Sequence, residues 1–492
     1  MHAVTRDPAP ASVHGDPVDA VRPATADDAE FAFVLARFAC ALTLDRLPPT
    51  VVEAVKTNVF DTLACALAGS SAPGVTEAVE LAREWGGTPQ ATVLAFGDKL
   101  PAHHVAWVNG TMAHARDYDD THDAAVLHAG VSVLPAALAA AELGGGISGA
   151  DFIAAVAAGL ETICRLGVAT QIGIVESGFI YTPLFGHFAA TIAAGRVLEL
   201  DHAQMVNALG IAYSQVAGNH QVTRDGAMTK RMQPGFAAQA ALVSVQLARK
   251  NVRGAQHTFE GTDGFLRVYL RDRCDREALR AQLGERYEFA NLSYKPYPCC
   301  RFNHTAIEAA ITLRARAAIE PQRIRSVRVG MTRQSYEAVC TPIAVRKSPQ
   351  TIVHAQFSIP YTVATALIDG CVELRHLTAE AIRRPDILAL AQRVDGFVDD
   401  AIERDWGRNV SPADLRIEMS DGSVHQLRID YPKGHPDRPM SIADFDAKLR
   451  DCIRVAAVPL PADTVERLRA AVDNLAEAPD VAALLHSVTV AR

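Results

Sequence analysis

Aromatic side chains are scarce: they make up 6% of the chain, and tryptophan numbers 3. Pockets that cradle carbocations need aromatic walls, so that chemistry is disfavoured from the outset. Positive charge is not massed either, because 48 Lys and Arg are dispersed among 56 Asp and Glu for a formal net charge of -8. Nucleic acid is therefore not an expected partner. The 9 cysteines contain no CxxC pair and no Cys/His spacing that reads as zinc. They are expected to be reduced, mostly buried thiols in a reducing, cytoplasmic compartment, with Cys299 and Cys300 in "YPCCRF" notable only as neighbours. No apolar run is expected to reach the roughly 18 to 20 residues of a membrane span, since Glu, Gly or Arg cuts each alanine-rich stretch, and no membrane partner is expected. Residues 1–28 lack the apolar region of a signal peptide and read as a disordered leader.

What is present is length and alanine-rich helix. At 492 residues the chain exceeds one simple core, which favours two or three domains. Apolar residues recur at three and four spacing from Glu30 to about Tyr287, as in "EFAFVLARFACALTL" and "PPTVVEAVKTNVFDTLACALAGS". Past Pro296 the texture changes. "IRSVRVGM" alternates like a strand, and "LRIEMSDGSVHQLRIDY" is a hairpin signal with Asp421-Gly422 at the turn. Amphipathic helix returns in "SIADFDAKLRDCIRVA". The expected fold is mainly α: an all-helical domain built from both chain ends (29–290 and 439–492) with an inserted α+β lid (291–438). A cleft between such domains is where small-molecule sites tend to lie.

The densest chemistry lies in "HARDYDDTHDAAVLHAG", His114 to Gly130, where four carboxylates and three imidazoles fall together. Its literal DDxxD string, Asp119 to Asp123, matches an aspartate-rich magnesium clamp, but the scarce aromatics and the missing second clamp speak against that, and no metal is expected. "GGGISG" at Gly144 to Gly149 matches a dinucleotide fingerprint letter for letter. It lies between two helical patterns rather than after a strand, so a turn is expected. If the helix from His104 runs on past Asp117, then Asp117, Asp120 and Thr121 share one face, with His114 a turn earlier. Such a cluster can hold a group poised for proton transfer, or it can be a solvated helix end. Two basic stretches tilt the balance toward a site. "TRDGAMTKRMQPG" carries Arg224, Lys230 and Arg231, and "YKPYPCCRFNHTAIEAA" carries Lys295, Arg301 and His304, each at a helix entry suited to carboxylates.

"VNGTMAHARDYDDTH", "HAGVSVLPAALAAAE", "KRMQPGFAAQ", "KPYPCCRFNHTAIEA" and the late "DYPKGHPDRPMSIADFDAKL" closely resemble the MmgE/PrpD family, whose members include 2-methylcitrate dehydratase, cis-aconitate decarboxylase and iminodisuccinate epimerase. The likeness runs in order from about residue 29 to 475. It implies a cofactor-free homodimer whose helical domain and α+β lid enclose a site for small polycarboxylates. By motif, Asp117 and Thr121 fall on the family's active-site aspartate and threonine, and His128 near its first catalytic histidine. Lys230 and Lys295 fall on its two lysines, with Arg301 and His304 beside the second. Two positions depart: Ile180 stands where many relatives have the histidine of a "GFH" string, and Gln233 replaces the histidine of "KRLHPG".

The implied chemistry is removal of a proton α to a carboxylate. Asp117 or His128 would be the base; Lys230, Lys295 and Arg301 would hold carboxylates and the growing enolate charge, with Thr121, His304, Arg231 and Arg224 binding substrate. A lyase (dehydratase or decarboxylase) is the first expectation. An epimerase working through the same carbanion is the alternative, and a non-catalytic ligand-binding dimer a second.

Overall fold

The computed structural model of the protein describes residues 30–407, 410 and 412–490; the expected leader at 1–28 lies outside them. Helix dominates, and two separate hydrophobic cores organise the chain. One core draws on residues from Phe31 to Leu292 and again from Leu449 to Val488, with Leu374 the one member from between. The other is built from residues between Cys299 and Met419.

Alanine and glycine set the packing of the first core. The central helices are Ala102–His114, Gly130–Gly144, Gly149–Ala169, Tyr181–Val197 and Gln233–Arg249. A Cβ on Gly235 would lie 2.2 Å from the Trp107 carbonyl oxygen, so two helix backbones meet there at a distance only glycine allows. Helix Pro49–Gly69 starts on proline, as its sequence implies, and packs against Ile442–Arg454 from the far end of the chain. "GGGISG" is the turn between Gly130–Gly144 and Gly149–Ala169, with Gly145 left-handed at φ 89°. Helix Gly149–Ala169 corrects one expectation: at 21 residues it is long and apolar enough to span a membrane, with an 18-residue stretch of mean hydropathy 1.7. It is a core helix instead, 94% of that stretch being buried, and its Glu161 and Arg165 pair with each other.

The second core lies under a four-stranded sheet ordered Val394–Val398, Ile324–Met331, Ala413–Met419, Val424–Ile429. The outer pair is the hairpin expected at Asp421-Gly422, with Leu415 opposite Leu427 and Gly422 at φ 84°. Strand Val394–Val398 runs parallel to Ile324–Met331 and has no clear alternation of its own. Helices His304–Arg316 and Ile359–Asp369 pack against the sheet. The helical part is not purely helical: Thr121–His122 pairs with Leu292–Ser293, joining the acidic segment to the start of the α+β region.

Candidate active site

Helix Ala102–His114 stops at His114 rather than continuing past Asp117. Asp117 has φ 53°, a left-handed conformation that costs a non-glycine residue about 1 kcal/mol or more and ends helical spacing. Asp117, Asp120 and Thr121 therefore do not share a helix face, and each carboxylate of the segment takes a different partner.

Asp117 sits between two ammonium groups. Its Oδ2 accepts from Lys230 Nζ at 2.5 Å and its Oδ1 from Lys295 Nζ, which also reaches the Asp117 carbonyl at 2.9 Å. Burial alone would raise this carboxyl, but Lys230 and Lys295 override it and hold it well below the usual range. Lys295 is fully buried, yet Asp117 outweighs the desolvation and keeps its pKa raised. Lys230 also lies 5.0 Å from the Phe357 ring centroid, tying the helical part to the second core. Two lysines flank this one carboxylate, and Asp119 acts on Lys295 from further off.

Asp119 holds two imidazoles. Its Oδ2 lies 2.9 Å from Nδ1 of His114 and 2.9 Å from Nδ1 of His128, whose rings meet edge to face at 4.7 Å. Burial would raise Asp119 too, and the two histidines hold it well below the carboxylate range. His114 is pushed down to about 4, chiefly by burial, and is neutral at pH 7. His128 Nδ1 also lies 2.7 Å from the Asp120 carbonyl, so both Nδ1 atoms face acceptors and carry the proton. Nε2 of each ring has no protein partner among the described residues and remains as the base nitrogen. Asp120 does neither job: it accepts from the amides of Ala129 and Gly130 at 2.7 and 3.0 Å, capping helix Gly130–Gly144. Asp123 pairs with Arg301 at 3.0 Å and accepts from Ser293. The DDxxD carboxylates thus diverge, although His114, Asp119 and His128 could as a group ligate a cation.

These side chains converge on one cavity. Its wall includes His114, Asp117, Thr121, His128, Lys230 and Arg301. Thr121 contributes a buried hydroxyl without a partner among the described residues, while His122, one strand position on, turns the other way to the Glu288 carbonyl. Lys295 stands behind Asp117. Three expected binding residues are not on the wall. Arg231 donates to the Pro73 carbonyl, His304 is buried against the Cys299 carbonyl and Arg301, and Arg224 is exposed. Ile180 is on the wall, next to Thr182, whose hydroxyl accepts from the His128 amide. His187 is buried on the Pro183 carbonyl and Gln233 clamps Asn219, so neither replaces the histidines absent at Ile180 and Gln233. Asp119, Thr182 and His220 are additions to the set expected from sequence.

Residues 34–277 match the MmgE/PrpD N-terminal domain and residues 297–477 the MmgE/PrpD C-terminal domain. Among curated proteins, cis-aconitate decarboxylase of Aspergillus terreus is 29% identical over 418 residues, 81% of this chain and 84% of that protein. A cis-aconitate decarboxylase-like protein of Aspergillus oryzae is 26% identical, covering 89% and 93%. Human cis-aconitate decarboxylase is 24% identical, covering 90% and 91%.

Proposed function

The chain belongs to the MmgE/PrpD family, and from that premise we propose that it is a cofactor-independent lyase, of the decarboxylase or dehydratase type, acting on a small polycarboxylate. One observation carries the proposal: two imidazoles on a single buried carboxylate share a cavity with a buried Lys–Asp–Lys group. Lys230 on the cavity wall, with Lys295 behind Asp117, receives a substrate carboxylate and stabilises the enolate-like charge that develops beside it. Asp117, held ionised by both lysines, is too weak a base for the proton and serves as their counter-ion. The proton falls to His128 Nε2, with Asp119 fixing the tautomer and stabilising the imidazolium that forms.

In a dehydratase the electron pair of the broken C–H bond becomes the new double bond as hydroxide leaves. In a decarboxylase no C–H proton is removed: the pair of the broken C–C bond passes into the same enolate system as CO₂ leaves, and His128, having taken a proton from solvent at Nε2, delivers it to carbon. An epimerase needs bases on opposite faces of the substrate. Here both imidazoles hang on one carboxylate and the facing lysines are engaged, an arrangement that favours a lyase. A homodimer in a reducing compartment belongs to the same reading; exposed Trp85 and Phe236, both stacked on Trp107, supply an apolar face for the partner, which light scattering can test.

The direct test of the reaction class is incubation with citrate, methylcitrate, aconitate and iminodisuccinate in D₂O, followed by NMR. Loss of water or CO₂ is expected. Deuterium exchange at the α-carbon with neither loss would replace the lyase by an epimerase. Turnover of none, with binding retained, would leave only a ligand-binding protein.

A further inference from the structure

Behind the cavity wall, bonded to a residue that lines it, lies a cation that the proton-transfer groups do not use. Arg346, in the short helix Ile343–Lys347, is only 4% exposed, and no carboxylate among the described residues pairs with it. Its Nε donates to the Thr341 carbonyl at 3.0 Å and its NH2 to the Ala338 carbonyl at 3.2 Å, while NH1 is buried without any partner. Lys230 and Lys295 have Asp117, Arg301 has Asp123, and Lys448 has Asp61; buried Arg231 also lacks an acid, but it lies off the cavity wall on the Pro73 carbonyl. A guanidinium taken out of water with no counter-ion is strongly unfavourable, so an anion from outside the chain would complete it.

Its surroundings say where that anion would sit. Ala338, Cys300 and His220 all line the cavity, and Arg346 bonds to the first and bears electrostatically on the other two. His220 is buried as well, and its Nδ1 is a second polar atom without a partner among the described residues. Exposed Arg224 adds positive charge felt by both. The wall also carries the uncharged side chains of Ile180, Phe302, Phe357 and Val410. A lysine on the wall, an arginine behind it and apolar side chains besides suit a ligand with more than one carboxylate and an uncharged portion.

We infer that Arg346, assisted by His220, seats a second carboxylate of the substrate and makes the site selective for dicarboxylates over monocarboxylates. The inference rests on the polycarboxylate reading above and assigns that site a second recognition element. Arg346 donates through the NH1 that now lacks an acceptor, and Arg224 adds attraction at longer range.

The test is calorimetric binding of succinate and of butyrate, a pair with four carbons each, to the full-length protein and to Arg346→Gln. Wild type is expected to prefer succinate by about tenfold or more, the worth of one charge-assisted hydrogen bond. Arg346→Gln should lose that preference, with butyrate affinity changed less than about twofold, and should melt no lower than wild type because an unpaired buried charge is gone. A succinate preference that survives in Arg346→Gln, or none in wild type, overturns the inference. If Arg346→Gln does not fold, Arg346→Lys decides: it should lose at least about fivefold in succinate affinity alone, because ammonium cannot reproduce the fork; unchanged succinate affinity overturns the inference. The lyase reading fails separately: a protein that seats succinate through Arg346 but turns over no acid of the panel keeps this site and loses that reaction.

Discussion

Replacing Asp119 by Asn tests the histidine arrangement without emptying space. The side chain keeps its shape, but the oxygen that accepts from His114 and His128 at 2.9 Å is no longer anionic. Only the bond to His128 bears on the proposed reaction, because His114, pushed down to about 4, is neutral and stays so. A hydrogen bond to a charged group contributes ~1.5–3 kcal/mol, and each ~1.4 kcal/mol is a factor of ten in rate. Loss of that support to the imidazolium should therefore lower kcat by about 10- to 150-fold. The amide can also turn its NH₂ toward an imidazole and impose the wrong tautomer, which pushes toward the larger figure. KM should change little, since the carboxylate seats at Lys230, Lys295 and Arg301 are untouched. Steady-state kinetics on whichever acid the panel identifies, with circular dichroism to confirm folding, reads both numbers. A folded Asp119→Asn protein with kcat within about threefold of wild type would refute the reasoning.

Other consequences follow from the same geometry. Asp117→Asn strands two buried ammonium groups, whereas Lys295→Met leaves a one-to-one pair of Asp117 with Lys230; breaking a buried pair costs ~3–5 kcal/mol. Chemical denaturation should find Asp117→Asn the less stable of the two, and the reverse order would contradict the pairing. His187 is buried on the Pro183 carbonyl, and burial pushes it from 6.5 to about 4. Between those values the unfolded chain binds a proton that the folded chain does not, so stability falls as pH is lowered through that window. The difference is ~3 kcal/mol. Wild type should lose that much more than His187→Asn between pH 7 and 4 in urea melts, and parallel losses would refute it. Dialysis against EDTA should leave turnover unchanged, because His114, Asp119 and His128 are read as a hydrogen-bonded set; activity lost and restored by a divalent ion would make them ligands.

Much of the fold was legible because its signals are local. Proline at the start of Pro49–Gly69, the Asp421-Gly422 hairpin and the alternation of Ile324–Met331 each have a cause within a few residues. Val394–Val398 was not legible, since its place is set by parallel pairing with a strand 67 positions earlier, Val327 against Val394. The apolar helix Gly149–Ala169 misled in the other direction: its Glu161 and Arg165 looked like interruptions but satisfy each other inside one helix. The site shows the same division. Asp117, Thr121, His128, Lys230 and Arg301 were picked from residue type and motif, and they line one cavity. Asp119 was passed over because helical spacing was extended past His114. The left-handed turn at Asp117 ends that spacing, and the contacts that hold it come from Lys230 and Lys295, far away in sequence. Arg224, Arg231 and His304 were chosen for charge near a helix entry, which does not say which way a side chain finds its partner.

The central claim is that His128, held by Asp119, moves the proton of a polycarboxylate lyase. Turnover by His128→Asn on the acid that wild type converts tests it most directly. A general base or acid contributes about 10²–10⁴-fold, so kcat should fall by at least about 100-fold while the acid still binds. A folded His128→Asn protein that binds the acid and turns it over within about threefold of wild type would contradict the account.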